Sequence, residues 1–159
     1  MAGLDVKIVN PFLQSTISVF EAVAQNKLVV GKPTLTALVF PEKTFISQAG
    51  LTGTIKGQLL LVLEEEQAKA VASKMMMGMP VNEIDDMASS ALNELCNMIM
   101  GNTATLFSTQ DILVDITPPI SVFGSDLKMN SKVSSLKVPF YYEGTQDQAI
   151  ALCMVIDDK

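Results

Sequence analysis

Ser90, Glu94, Asn97 and Gly101 stand four, three and four residues apart. On a helix turning about 100° per residue, that spacing lays them in one row. Glu94 and Asn97 are one turn apart, with Cβ atoms about 5–6 Å from each other, so a carboxylate and an amide can enter the same mouth together. A polar row is ordinary on any amphipathic helix, and Glu and Asn are common there. Two details argue for more. Asn is a poor mid-helix residue, because its side chain competes for backbone hydrogen bonds. Gly101 costs roughly 1 kcal/mol relative to Ala in a helix interior. Asn97, Gly101 and Asn102 together weaken the helix where nothing structural asks for it. A glycine lets another protein's backbone come close. Met87 and Met98, expected on the exposed side beside the row, supply adaptable contact area.

The element that must carry this row is a long helix over 86–108, started by Asp85 or Asp86. Ala88, Leu92, Leu95, Ile99, Thr103 and Leu106 form its other stripe, which is expected to face the core. The polar row lies roughly opposite.

Other chemistries are excluded by composition. The chain has 159 residues and no histidine. That removes Ser-His-Asp and Cys-His nucleophile systems and every His-containing metal site. Its two cysteines, Cys96 and Cys153, form no CxxC pair and are too few for a four-cysteine zinc site. They read as small buried apolar residues, and a cytosolic setting disfavours a disulfide between them. Eleven lysines and arginines against 17 acidic residues leave a net charge of −6. A nucleic-acid binder needs clustered cations, and none are clustered here. The same balance disfavours an anionic membrane surface. The longest aliphatic run, 59–63, is far too short to span a bilayer. The opening residues MAGLDVKIVN lack a signal-peptide layout, so the expected location is the cytoplasm. Hydrophobic residues at 48% and charged residues at 18% describe a globular chain. Residues 1–159 read as a single domain.

Asn10-Pro11 is expected to open a first helix running to about Gln25, with Asn10 as cap and Pro11 in the first helical position. Strands are expected over 34–40, 45–54 and 57–63. GLTGTIKG lacks the ending of a phosphate loop and reads as a glycine hairpin turn. Glu64 to Glu66 start a second helix that ends near Met77, before Gly78 and Pro80. Met75, Met76, Met77 and Met79 invite a soft-metal reading, but core filling or a contact surface is the ordinary one. After the long helix, strands are expected over 111–117, 120–123, 131–143 and 148–156, with Gly144-Thr145 turning the last hairpin. GTIKGQLLLVL from Gly53 resembles GTQDQAIALCMV from Gly144, a faint internal repeat. The expected fold is α+β: an antiparallel β-sheet with helices packed on one face, in two pseudo-repeated halves.

NPFLQSTISVFE in the first helix, GLTGTIKGQLLL in the first hairpin and SALNELCNMIMGN in the long helix resemble the CheC/CheX/FliY family of chemotaxis phosphatases, over nearly the whole chain. The family motif is Asp or Ser, three residues, Glu, two residues, Asn, and a proline some twenty-odd residues later. Here it reads Ser90, Glu94, Asn97 and Pro118 or Pro119, the proline spacing being slightly short. CheC-like members carry the motif in both halves. In this chain the corresponding register of the first helix falls near Val9 and Phe12, so one site per chain matches the CheX branch.

The resemblance implies removal of the phosphoryl group from the aspartate of a CheY-like response regulator. The acyl phosphate, its Mg²⁺ and a lysine would all belong to the regulator, and this chain would need no cofactor of its own. Asn97 would orient the attacking water, as Gln does in GTP hydrolysis. Glu94 would reach the regulator's lysine, and Ser90, Met98 and Gly101 would form docking surface. Homodimers paired through an edge strand are implied as well. Two alternatives stay open. A non-catalytic dimeric adaptor would use the same helix to hold a response regulator or a flagellar switch protein. A conventional carboxylate-pair enzyme would have to use Asp85-Asp86 or Asp157-Asp158, adjacent residues that do not converge.

Overall fold

The computed structural model describes residues 5–157; Asp158, of the second aspartate pair, lies outside them. Ten strands and three helices follow one another as α1 (Val6–Ala24), β1 (Leu28–Val30), β2 (Thr34–Thr36), β3 (Leu38–Phe40), β4 (Thr44–Gly53), β5 (Lys56–Glu64), α2 (Glu65–Met75), α3 (Asp86–Ser108), β6 (Val114–Ile116), β7 (Ile120–Gly124), β8 (Leu127–Met129), β9 (Ser135–Tyr142) and β10 (Gln148–Asp157). The sheet is antiparallel, in the order β1-β9-β10-β5-β4-β6, with β2 also on β9 and β7 also on β4. β3 and β8 form a separate two-stranded ribbon.

Alternation along β5 shows how the layers form. Leu59, Leu61 and Leu63 point into the core shared with the three helices. Leu60 and Val62 point the other way, against Leu38 and Phe40 of the ribbon. A strand buried on both faces reads as the unbroken aliphatic run seen in the sequence. The helices therefore cover one face, as expected, and the ribbon covers part of the other.

The repeat is visible in the pairing. The register that aligns Gly53 with Gly144 also aligns Leu61 with Leu152, and those two leucines are direct partners where β5 meets β10. Both glycines turn their hairpins with positive φ, 120° and 78°. Each half lends its short edge strands to the hairpin of the other: β1 and β2 join β9, while β6 and β7 join β4. The helices obey the same relation. Thr16 and Thr103, both fully buried, each donate a hydroxyl hydrogen bond to the carbonyl four residues back, at 2.7 Å. Beside them Asn102 Nδ2 donates to Ser15 Oγ at 3.0 Å, and Phe12 meets Phe107 edge-on at 5.6 Å.

Several boundaries differ from expectation. α1 begins at Val6, capped by Asp5, whose carboxylate accepts from the Lys7 N–H at 2.9 Å. Asn10 and Pro11 thus lie inside the helix. The missing proline N–H removes one i→i−4 bond there, and the ring is buried. The expected strand over 34–40 splits into β2 and β3, because β3 leaves the main sheet to pair with β8. β1 and β8, three residues each, have too little sequence to show a period. α2 ends at Met75, and Met77 takes a left-handed φ of 60° ahead of Gly78. Met75 packs against the core while Met77 is 97% exposed, so the methionine run divides between core and surface.

Candidate functional site

Asp85 Oδ1 accepts from the Ala88 N–H at 2.9 Å and fixes where α3 starts. Ala88, Leu92, Leu95, Ile99 and Thr103 are then buried, which sets the rotation of the helix. Leu106 is only half-buried, and Phe107 fills the core in its place. Ser90, Glu94 and Asn97 are exposed, on the face away from that stripe. Together with Asn93 they line one wall of a cleft of about 470 Å³ whose other wall is Ile116, Thr117, Pro118 and Pro119. The fold thus brings Ser90, Glu94 and Asn97 together with both candidate prolines.

Two expected site residues lie apart from that cleft. Met98 is half-buried and packs against the core, rather than standing on the exposed side, because one residue past Asn97 the helix has already turned inward. Gly101 is partly exposed, and a Cβ added there would meet nothing within 4 Å. The space above it is open from outside. Asn102 has a structural reason after all, in its bond to Ser15.

Sequence reasoning missed Asn93 and Thr117. Asn93 Oδ1 accepts from the Ser47 hydroxyl at 2.7 Å, and its Nδ2 donates to Ser121 Oγ at 3.1 Å. Thr117 clasps β4 at two points: its N–H donates to the Gly50 carbonyl at 3.0 Å, and its Oγ1 accepts from the Gly50 N–H at 2.7 Å. A side chain at Gly50 would crowd that hydroxyl, at 3.2 Å. The proline wall is therefore pinned to the sheet. The only sequence signal for Asn93 was its place between the two stripes.

The first helix holds a partial counterpart, at a different register from the expected one. Val9 and Phe12 are buried. Alignment of Thr16 with Thr103 and of Ser15 with Asn102 puts exposed Lys7 and Asn10 opposite Glu94 and Asn97. The amide is kept, but an ammonium stands where α3 has a carboxylate. Asn10→Ala is expected to leave any activity of the α3 site within twofold, and a loss above tenfold would show that α1 works as a second site.

Neither cysteine is poised to react. Burial pushes Cys96 and Cys153 from the usual thiol range up to about 11. Among the described residues no three of His, Cys, Asp and Glu are grouped to hold a metal ion, and no helix is long and apolar enough to cross a membrane. The thiols do carry a pH prediction. In the unfolded chain they ionise near their ordinary value of 9, before the native ones do. Their contribution to stability is intact below about pH 9 and is lost as pH rises toward 11, on the order of 2 kcal/mol per thiol. Urea unfolding should show that decline, and the Cys96→Ala/Cys153→Ala pair should reduce it, leaving the part that belongs to the Tyr142 phenol, which burial also pushes up. An unchanged slope in the pair would place the titrating groups elsewhere.

A carboxylate, an amide and a hydroxyl set over a cleft, with no imidazole to activate the serine, suit a protein that adds groups to a reaction centre held by another molecule. Comparison with known proteins identifies the family. The family model described as "Chemotaxis phosphatase CheX" matches residues 45–142. The CheY-P phosphatase CheX of Thermotoga maritima is 35% identical over 144 residues, covering 91% of this chain and 93% of that protein. The chain belongs to the CheX family of chemotaxis phosphatases. Among solved structures, a CheC-like superfamily protein from Shewanella sp. PV-4 superposes with a TM-score of 0.81 at 25% identity, over 97% of this chain and 99% of the other. The chain matched in the CheX-CheY-BeF3-Mg²⁺ complex from Borrelia burgdorferi gives 0.78 at 28% identity, over 96% of this chain and 99% of that one.

Proposed function

We propose that this chain hydrolyses the aspartyl phosphate of a CheY-like response regulator. The observation that carries the reading is the joint exposure of Glu94 and Asn97 over one cleft, in a chain of this family. The regulator supplies the acyl phosphate, its Mg²⁺ and a lysine. Asn97 enters the regulator's site and holds a water in line with the scissile bond, its amide oxygen accepting from the water and its N–H donating nearby. The water oxygen attacks phosphorus, the bond to the aspartyl oxygen breaks, the aspartate leaves as a free carboxylate, and the water's protons stay with the released phosphate. An amide takes no proton at neutral pH, so Asn97 contributes position. Glu94 pairs with the regulator's lysine and fixes α3 over the site. Ser90 and Gly101 give close-approach surface, and Met98 adds the part of its side chain that stays uncovered. Residues 1–159 act as a single cytoplasmic domain, and two copies pair through an edge strand.

The test is the lifetime of a phosphorylated, Mg²⁺-loaded CheY-like regulator with and without this protein. The lifetime should shorten in proportion to the protein added. A lengthened lifetime would mean that α3 shields the phosphate, which is the behaviour of an adaptor and contradicts the proposal.

A further inference from the structure

Asn93 lines the same cleft as Glu94 and Asn97, yet its amide is turned down onto the sheet. Both its hydrogen bonds end on serines of adjacent strands, and those serines, Ser47 of β4 and Ser121 of β7, are direct partners in the ladder. Ser47 is fully buried, on the face of β4 that meets the helices with Phe45 and Ala49. One turn further along, the Cys96 thiol reaches the Ser47 carbonyl at 3.8 Å. α3 is thus tied to one point of the sheet by directional bonds at the turn that carries Glu94 and Asn97. Packed methyl groups leave a helix some freedom to slide and roll, whereas an amide bonded at both ends allows little.

We propose that Asn93 is a positioning residue: by bridging Ser47 and Ser121 it sets the rotation and height of α3, and so the point at which Asn97 meets the regulator's phosphoryl group. The inference rests on the hydrolytic reading of the site and deepens it. Misplacement of a reacting group by about 1 Å can cost up to 100-fold in rate. Ser90 and Glu94 move with the same helix, but a long carboxylate side chain can follow a lysine over such a shift whereas an in-line water cannot, so the effect falls mainly on the chemical step.

The experiment compares Asn93→Leu with Asn93→Asp. The leucine has similar size and no hydrogen bonds. The aspartate keeps the shape and can accept from both serine hydroxyls. Phosphate release from the phosphorylated regulator should show kcat down about tenfold in Asn93→Leu with KM within twofold, and kcat within threefold of wild type in Asn93→Asp. Crystal structures should show α3 shifted on β4 at Asn97 in the leucine variant and unshifted in the aspartate one. An unmoved helix in Asn93→Leu, or equal loss in both variants, overturns the inference. If Asn93→Leu does not fold, Ser121→Ala removes one arm at an exposed position, and the same shift is sought there; none overturns the inference. Should wild-type protein release no phosphate, the hydrolytic reading fails, while the position of α3 still decides whether Asn93 sets it.

Discussion

Asn97→Ala is expected to reduce phosphate release from the phosphorylated regulator by about 100-fold or more, to the regulator's own rate, with the fold intact. The side chain is exposed and no hydrogen bond ties it to the rest of the chain among those described. Its truncation leaves no cavity and strands no buried partner. Ala is also the better helix former, by up to about 0.7 kcal/mol, so the melting temperature should hold or rise slightly. The two readouts together separate a chemical role from a structural one. A marked fall in melting temperature would contradict the exposed placement of Asn97, and full activity would remove it from the mechanism.

Leu95→Ala should do the reverse. Leu95 lies two residues before Asn97, is fully buried and sits in the core that α3 shares with the sheet and the other helices. Removing its isobutyl group costs the transfer free energy of the lost atoms and leaves a cavity, roughly 2–5 kcal/mol in all. For a chain of this length that is roughly 5–15 °C in melting temperature. Chemical denaturation gives the value directly. A cost under about 1 kcal/mol would mean that α3 is rotated away from the position described.

Much of this was legible in the sequence, and the reasons differ by element. α3 showed both of its faces because 23 residues give enough turns for a 3.6-residue period to stand out, and Asp85 marks its start. β5 and β10 showed as apolar runs because the centre of the sheet buries both of their faces. The repeat showed only faintly, in the segments that start at Gly53 and Gly144, since the two halves share geometry more than side chains. What stayed hidden depends on tertiary partners. β3 leaves the sheet for β8, and three residues cannot announce a partner as distant in sequence as Met129 is from Leu38. Pro11 looked like a helix start because nothing local reveals that Asp5 already caps the helix. Ser90, Glu94 and Asn97 could be chosen from spacing and family resemblance. The cleft could not, because its second wall comes from Thr117 to Pro119, held by Gly50. Met98 was misplaced because a wheel drawn without the sheet does not say how far the core wraps around the helix. Asn93 was passed over because only Ser47 and Ser121 give it a task.

The most direct test of the hydrolytic reading is a multiple-turnover count. Phosphorylated, Mg²⁺-loaded CheY-like regulator is mixed with about one-tenth its amount of this protein, and phosphate released per chain is followed beyond the regulator's own decay. Many phosphates per wild-type chain, and none above background for Asn97→Ala, is the predicted result. No acceleration by wild type, with binding to the phosphorylated regulator still measurable, would contradict catalysis and leave α3 as a docking helix alone.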